Sequence, residues 1–332
     1  MKKIIFMGTP QFAAEILQGL LEHASYQVIA VVTQPDRPVG RKRVLTQSPV
    51  KQLALAHDIP LYQPERISRS EELEELINLD ADIIVTAAYG QFIPTRLINS
   101  TPHTAINVHA SLLPKYRGAA PIHYAIWKGD HETGISIIYM TKEMDAGDIL
   151  AQRSCVIESD ETVDALFGKL AIIGRELLLD TLFKLFANEI TAVEQDVSQV
   201  VFSPSITKEQ EQLNWYESAH QVDCHVRAFN PFPSTYTVLG DLRIKVWAGA
   251  PMDYEPSPED LAAEPGTILA YKRKHLIVKC GHHSYYGIRE WQESGKKRLS
   301  LEDYFKGNDL AQLAGQVFAS PQVVEDEESH ES

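Results

Sequence analysis

The strongest constraint on this chain is the order of its first three segments. Residues 2–8, KKIIFMG, form an apolar run with strand character. Residues 10–24 then place Phe12, Ala13, Ile16, Leu17, Leu20 and Leu21 on one helical face, and YQVIAVVTQ at 26–34 is a second β-rich run. Strand–helix–strand implies a parallel pair joined by a right-handed crossover. The alternation resumes beyond a long loop at 34–48. Helical patterns occupy 49–57 and 69–79, the continuous apolar run ADIIVTAAYG at 81–90 fits a strand covered on both faces, and 104–114 is another strand leaving into a turn. A helix is expected over 118–130, a hairpin from 134–140 and 148–157, and a long amphipathic helix over 162–188. The first 189 residues therefore read as an α/β domain with an open, mostly parallel sheet.

Periodicity fades over 190–206, a linker pattern, and a helix is expected to restart at 208 and end at Asn230-Pro231, where proline forbids continuation. The short runs STYTVLG, LRIKVWAGA, GTILAYK and HLIVKCG follow, separated by turn residues, and suggest a small OB-like β-barrel over 207–318. Residues 319–332 form an acidic tail, read as disordered and solvated. A length of 332 residues accommodates two such domains.

Cys155, Cys224 and Cys280 are far apart, which argues against a disulfide framework or zinc site and suits a reducing, cytoplasmic setting. The N-terminal apolar run breaks at Gly8-Thr9-Pro10, so it reads as a strand rather than a signal peptide. No apolar stretch reaches the roughly 18 residues a membrane span requires. The net charge of −14 disfavours nucleic acid as a partner of the whole surface. Three basic clusters nevertheless stand out: Arg37, Arg41, Lys42 and Arg43 in the long loop, Lys272-Arg273-Lys274, and Lys296-Lys297-Arg298. Each is either a solvated surface or part of a local phosphate-gripping track.

The chemistry concentrates in two places. In Ile106-Asn107-Val108-His109 the two-residue period puts Asn107 and His109 on one strand face, with Val108 opposite. Two polar side chains aimed together from a strand end must be hydrogen-bonded or used. On periodicity alone, a buried histidine satisfied by its neighbouring asparagine is an equal alternative. Asp145 lies in the turn Glu143–Asp148; a carboxylate beside an imidazole would orient it and favour its charged form. From that stretch by itself an exposed turn residue is the simpler reading. Only the first glycine of a dinucleotide fingerprint is present at Gly8, which argues against NAD or FAD.

These motifs together resemble the methionyl-tRNA formyltransferase family. The resemblance runs through FMGTPQFA at 6–13, TQPDRPVGR at 33–41, SPVK at 48–51, AAYG at 87–90, INVHASLLPKYRGAAPI at 106–122, MDAGDIL at 144–150 and RAFNPFP at 227–233. It implies a Rossmann-like formyltransferase domain followed by a small tRNA-binding barrel. The implied substrates are 10-formyltetrahydrofolate as formyl donor and initiator methionyl-tRNA as acceptor, with no metal. No membrane partner is expected, and fold and chain length leave the oligomeric state open, with a monomer the natural expectation. It places the catalytic asparagine, histidine and aspartate on Asn107, His109 and Asp145. The folate-contacting loop falls on Ser111, Leu112, Leu113 and Pro114, and the loop gripping the tRNA acceptor end on the stretch around Arg41, with Arg37, Lys42 and Arg43. The expected mechanism has Asn107 and protonated His109 donating to the oxyanion of a tetrahedral intermediate, with Asp145 relaying a proton. Formylation of a sugar or other small amine is the nearest rival, because it uses the same three residues. Hydrolysis of the formyl donor and a non-catalytic RNA-binding module are more distant alternatives.

Overall fold

A computed structural model describes residues 1–40 and 42–321. Arg41 and the acidic tail beyond Pro321 lie outside the described residues. The chain divides into two compact units: Met1–Ala125, His131–Glu158 and Ala165–Ser205 form the first, and Ile126–Asp130, Ser159–Asp164 and the residues from Ile206 onward form the second.

The first unit opens with β1 (Lys2–Gly8), α1 (Gln11–Glu22) and β2 (Tyr26–Val32), then β3 (Arg37–Val39), β4 (Val44–Thr46), α2 (Pro49–Ala56) and β5 (Leu61–Tyr62). It continues through α3 (Glu72–Asn78), β6 (Ile83–Ala87), α4 (Thr95–Ile98), β7 (Ala105–His109), α5 (Pro121–Trp127), β8 (Glu132–Tyr139), β9 (Ile149–Val156) and α6 (Val163–Phe186). The seven-stranded sheet has the order β5-β2-β1-β6-β7-β8-β9. It is parallel from β5 to β7 and antiparallel from β7 to β9. Ile4, Ile5, Phe6 and Met7 of β1 are fully buried, as a central strand with both faces covered requires. One face packs Ile5, Met7, Ile84 and Ala105 against Leu73, Leu76, Leu97 and Ile98 from α3 and α4. On the other lie α1 and α6, tied by the Arg175–Glu15 ion pair at 2.6 Å. A Cβ on Gly174 of α6 would come within 3.2 Å of Val108 Cγ1, so helix and strand touch closely there.

The chain order reverses between β1 and β6, since β1 is followed by its neighbour on one side and later by β6 on the other. Open α/β sheets leave a ligand crevice at the carboxyl ends of such strands. Gly8 sits at this point, where a Cβ would lie 2.7 Å from Ala13 Cβ and 2.9 Å from the Ala87 carbonyl. Across the switch, Thr9 Oγ1 donates to the Tyr89 carbonyl at 3.0 Å.

The loop expected at 34–48 contains a short exposed ladder, Arg37↔Thr46, Pro38↔Leu45 and Val39↔Val44. Pro38 and the interspersed charges hide so short a hairpin from periodicity. Residues 190–206 also do more than link. Val193 exchanges both backbone hydrogen bonds with Ile149, Ser203 N donates to the Arg117 carbonyl at 2.8 Å, and Ala120 N donates to the Ser203 carbonyl at 3.0 Å.

The second unit contains α7 (Ala219–Phe229), β10 (Thr235–Leu239), β11 (Leu242–Pro251), α8 (Pro258–Ala262), β12 (Ile268–Lys272), β13 (His275–Lys279), β14 (Tyr285–Glu293), β15 (Leu299–Ser300), α9 (Leu301–Tyr304) and β16 (Phe318–Ala319). The antiparallel order is β12-β13-β14-β11-β10-β16. A bridge between Thr267, beside β12, and Val317, beside β16, closes this sheet on itself. Trp215, Trp291, Tyr286 and Phe318 fill the interior with Ile244 and Val246. The helix expected from 208 begins instead at Ala219, N-capped by Ser218, whose Oγ accepts from Gln221 N at 3.1 Å. Leu213 and Trp215 are extended into the barrel core, with Leu213 N donating to the Tyr236 carbonyl at 2.8 Å. Strand pairing outweighed the helical spacing. Among the described residues, no helix is long and apolar enough to cross a membrane.

His225 of α7 is stacked on Trp127 and edge-on to Phe229, with Nε2 against the Gln210 carbonyl at 2.8 Å. Burial pushes its pKa down from 6.5 to about 4. Above pH 6.5 both folded and unfolded rings are neutral. Below it the unfolded ring takes a proton that the folded ring refuses, so stability falls as pH drops from 6.5 toward 4, by roughly 1.4 kcal/mol per pH unit. All four tryptophans lie in the second unit, so their fluorescence reports its unfolding. Denaturation followed this way should show one proton's worth of pH dependence that His225→Phe removes. An unchanged slope in the variant would exclude the buried neutral ring.

Candidate active site

The antiparallel pairing of β7 with β8 puts Asn107 opposite Ile138 and His109 opposite Ser136. The turn after β8 leaves beside the start of β7, where Met140 N donates to the Ala105 carbonyl, and folds back to deliver Asp145 to Asn107. That turn is tight. Asp145 adopts φ +51°, and a Cβ on Gly147 would lie 1.9 Å from the Tyr139 carbonyl, so only glycine fits. The result is a compact cluster. Asn107 Oδ1 accepts from Thr86 Oγ1 at 2.8 Å, which fixes the amide orientation and turns Nδ2 toward Asp145 Oδ1 at 3.3 Å. An amide carries two N–H groups, so one remains for a ligand oxygen. Asp145 Oδ2 accepts from Gly118 N at 2.9 Å and lies 3.5 Å from His109 Nδ1.

His109 is buried, with Nε2 at 2.9 Å from the Tyr116 carbonyl. A carbonyl only accepts, so Nε2 carries a proton and Nδ1 faces the carboxylate. This differs from the expected division of labour: donation from His109 to an oxyanion would require the ring to release the Tyr116 carbonyl. The ring is thus held by the Tyr116 carbonyl with Nδ1 beside Asp145, and Asn107 is the donor to hand.

The cluster forms part of the wall of a cavity of about 560 Å³. Ala88–Ile93, Val108, Ala110, Gly118–His123, Ile138–Asp145, Phe12 and Phe167 also line it. Phe92 and Met144 are exposed apolar side chains of this lining. Ser111, Leu112, Leu113 and Pro114 follow directly on the lining residue Ala110 and are braced through their backbone. Ser136 Oγ donates to the Ser111 carbonyl at 2.6 Å and accepts from Leu113 N at 3.0 Å, and Gln152 Nε2 donates to the Leu113 carbonyl at 2.9 Å.

The basic loop is exposed. Arg37 pairs with Glu65 at 2.6 Å, while Lys42 and Arg43 lie open to solvent on the β3–β4 hairpin. The hairpin base is pinned by Lys51, whose Nζ donates to Asp36 Oδ2 at 2.8 Å, and by Gln63 Nε2 donating to Asp36 Oδ1 at 3.0 Å. These bonds hold the Asp36 carboxyl below the usual range.

Sequence reasoning missed Gln195. It is buried, and its Nε2 donates to the carbonyls of Asp145 at 2.8 Å and Gly147 at 2.7 Å. Its Oε1 accepts from Nε and Nη2 of buried Arg117 at 3.0 and 2.8 Å. Gln195 lies in the aperiodic stretch, where no local signal marks it. Thr86, inside an apolar strand run, was equally invisible.

A fold of this kind with an Asn–His–Asp cluster at the switch-point edge defines a class, and the family comparison names it. Residues 1–182 match the formyl transferase family and residues 205–309 its C-terminal domain. The chain is 50% identical to the methionyl-tRNA formyltransferase of Levilactobacillus brevis over 96% of this chain and 100% of that one. It is 47% identical to that of Streptococcus thermophilus, over 96% and 99%. Solved structures with the same fold include a sugar 3N-formyl transferase (TM-score 0.64, 17% identity, covering 90% of this chain and 99% of that one). HypX of Aquifex aeolicus, in complex with tetrahydrofolic acid, is another (TM-score 0.59, 15% identity, covering 91% and 46%). This chain belongs to the methionyl-tRNA formyltransferase family.

Replacing Gln195 by Leu should strand the Arg117 guanidinium and free the Asp145 turn. The expected cost is about 2–3 kcal/mol of stability and at least a tenfold loss in kcat. Thermal unfolding and steady-state kinetics of the variant check both. Wild-type kcat in a folded Gln195→Leu protein would remove Gln195 from the positioning of Asp145.

Proposed function

We propose that this protein transfers the formyl group of 10-formyltetrahydrofolate to the α-amino group of initiator methionyl-tRNA, in the cytoplasm where translation begins. The reading rests above all on one observation. The Asn107 amide and the Asp145 carboxylate meet at 3.3 Å on the wall of a cavity, with the His109 imidazole beside them. Membership of the family supplies the acceptor, and the folate-binding structural neighbours support the donor.

The chemistry needs no protein nucleophile. The amine to be formylated attacks by itself, and a free α-amino group has a pKa of about 8, so part of it is neutral near pH 7. Attack on the formyl carbon makes an oxyanion and an ammonium together. The remaining Asn107 N–H donates to the oxyanion. Asp145 Oδ2 accepts the ammonium proton, and His109 Nδ1 lies 3.5 Å away to share it. The same proton is then returned to N-10 as the C–N bond to the folate breaks, so the residues end as they began. Thr86, Tyr116 and Gly118 N contribute by holding these three groups in place before substrate arrives.

The acceptor end of the tRNA is assigned to the basic hairpin, with Arg37, Arg41, Lys42 and Arg43 as phosphate contacts. The barrel unit is assigned to the body of the tRNA. The loop Ser111, Leu112, Leu113 and Pro114, which follows directly on His109 and Ala110, is assigned to contact with the folate.

Transfer of labelled formyl from 10-formyltetrahydrofolate should be rapid to methionine-charged initiator tRNA and slow to free methionine or an amino sugar. Asn107→Ala should lower kcat by about 10²–10³ with little change in KM for tRNA. Lys42→Glu with Arg43→Glu should do the reverse, raising KM and flattening its salt dependence. Rapid labelling of the sugar, or full turnover by Asn107→Ala, would overturn the reading.

A further inference from the structure

Both feet of the basic β3–β4 hairpin are hydrogen-bonded to one wall of the cavity, through groups that the formyl chemistry does not use. At the first foot, Gln34 Nε2 donates to the Tyr89 carbonyl at 3.2 Å, and Gln34 Oε1 accepts from Gln91 Nε2 at 3.3 Å. The backbone of Gln34 is held as well. Its N–H donates to Thr9 Oγ1 at 3.3 Å, and its carbonyl accepts from Gln63 Nε2 at 3.0 Å. At the second foot, Ser48 Oγ meets Thr33 Oγ1 at 2.9 Å, and Thr33 Oγ1 lies 3.5 Å from Thr9 Oγ1. Thr9 Oγ1 then donates to the Tyr89 carbonyl at 3.0 Å. Two routes therefore run from the hairpin to a single carbonyl.

That carbonyl belongs to the stretch Ala88–Ile93, which lines the cavity. The stretch does not take its shape from local preference. Ala88 has φ +45° and Gly90 φ +85°, a region that a residue with a Cβ disfavours, so contacts from outside must hold Ala88 there. Thr9 and Gln34 supply them, filling both lone pairs of the Tyr89 carbonyl. The Gln91 amide is likewise spent on Gln34, on the Pro64 carbonyl at 3.0 Å and on Ile67 N at 2.9 Å. The hairpin itself has little packing of its own: Arg37–Val39 and Val44–Thr46 are all exposed.

We infer that Gln34 is a positioning residue that couples the two substrates, so that RNA on the hairpin and folate in the cavity each bind more tightly in the presence of the other. The inference rests on the tRNA reading above. Ordering a segment with few contacts costs free energy, and whichever ligand binds first meets that cost. Phosphates gripped by the hairpin fix its feet, Gln34 and Ser48, and through them the wall Ala88–Gln91. Folate then enters a cavity whose wall is already set. By linkage, bound folate favours the RNA by the same factor. Gln34 touches neither substrate in this scheme; it acts through the Tyr89 carbonyl and the Gln91 amide.

The test uses the full-length protein, tetrahydrofolate, which has no formyl group to transfer, and uncharged initiator tRNA. Equilibrium dialysis gives the affinity for tetrahydrofolate without and with saturating tRNA. The wild-type protein should bind it about fivefold more tightly, or better, when tRNA is present. Gln34→Leu keeps the bulk of the side chain and loses both amide bonds. It should bring that factor below about twofold while changing the affinity for tRNA alone by less than about twofold. Thr33→Val cuts the second route and should lower the factor as well; it decides the matter if Gln34→Leu does not fold. A merely structural role for Gln34 would weaken each ligand measured singly and leave the factor intact, and that result would overturn the inference. So would a wild-type factor near one. Failure of the wild-type protein to bind the tRNA or to formylate its methionyl form would instead overturn the acceptor assignment itself.

Discussion

The site depends on one turn that folds back to carry a carboxylate onto the middle of a strand. Asp145 is held there by Gly118 N and the Asn107 amide on its side chain, and by Gln195 on its carbonyl. The turn can close only because Gly147 has no Cβ to strike the Tyr139 carbonyl. If the turn shifted by a residue, Asn107 and His109 would still be buried polar groups at a sheet edge. The Asn107 amide would then lack its acceptor, at a cost of about 1–3 kcal/mol.

The antiparallel register sets the end of β8 beside the start of β7, with Met140 N donating to the Ala105 carbonyl, and the turn that follows folds back onto Asn107. The reversal of chain order between β1 and β6 opens a crevice, and Gly8 lets α1 start close against β1 and the Ala87 carbonyl. The chain from 193 to 203 then fastens the assembly by pairing with Ile149 and with the Arg117–Ala120 stretch. An aperiodic segment thus determines how rigidly the site is held.

The acidic surface and the basic hairpin are compatible on the same physical grounds. A net charge of −14 sets long-range repulsion from RNA, but at physiological salt that field is screened beyond about 8 Å. On the proposed tRNA reading, Lys42 and Arg43 on the exposed hairpin would act within that distance. Arg37 is already paired with Glu65, so its availability to a phosphate depends on an exchange of partners.

The sequence by itself determined the alternation of strands and helices, the closed antiparallel unit and the shared face of Asn107 and His109. Each of these follows from a repeat of two or 3.6 residues written locally in the chain. It also exposed Asp145 as a candidate through the motif it belongs to, though spacing alone left it an ordinary turn residue. Only the tertiary structure decided the rest. It put Leu213 and Trp215 into the barrel rather than a helix, because pairing with Tyr236 outweighs local spacing. It brought Gln195 from 50 residues away onto Asp145 and engaged His109 Nε2 with the Tyr116 carbonyl. Contacts between distant segments leave no period behind, so only the folded chain reveals them.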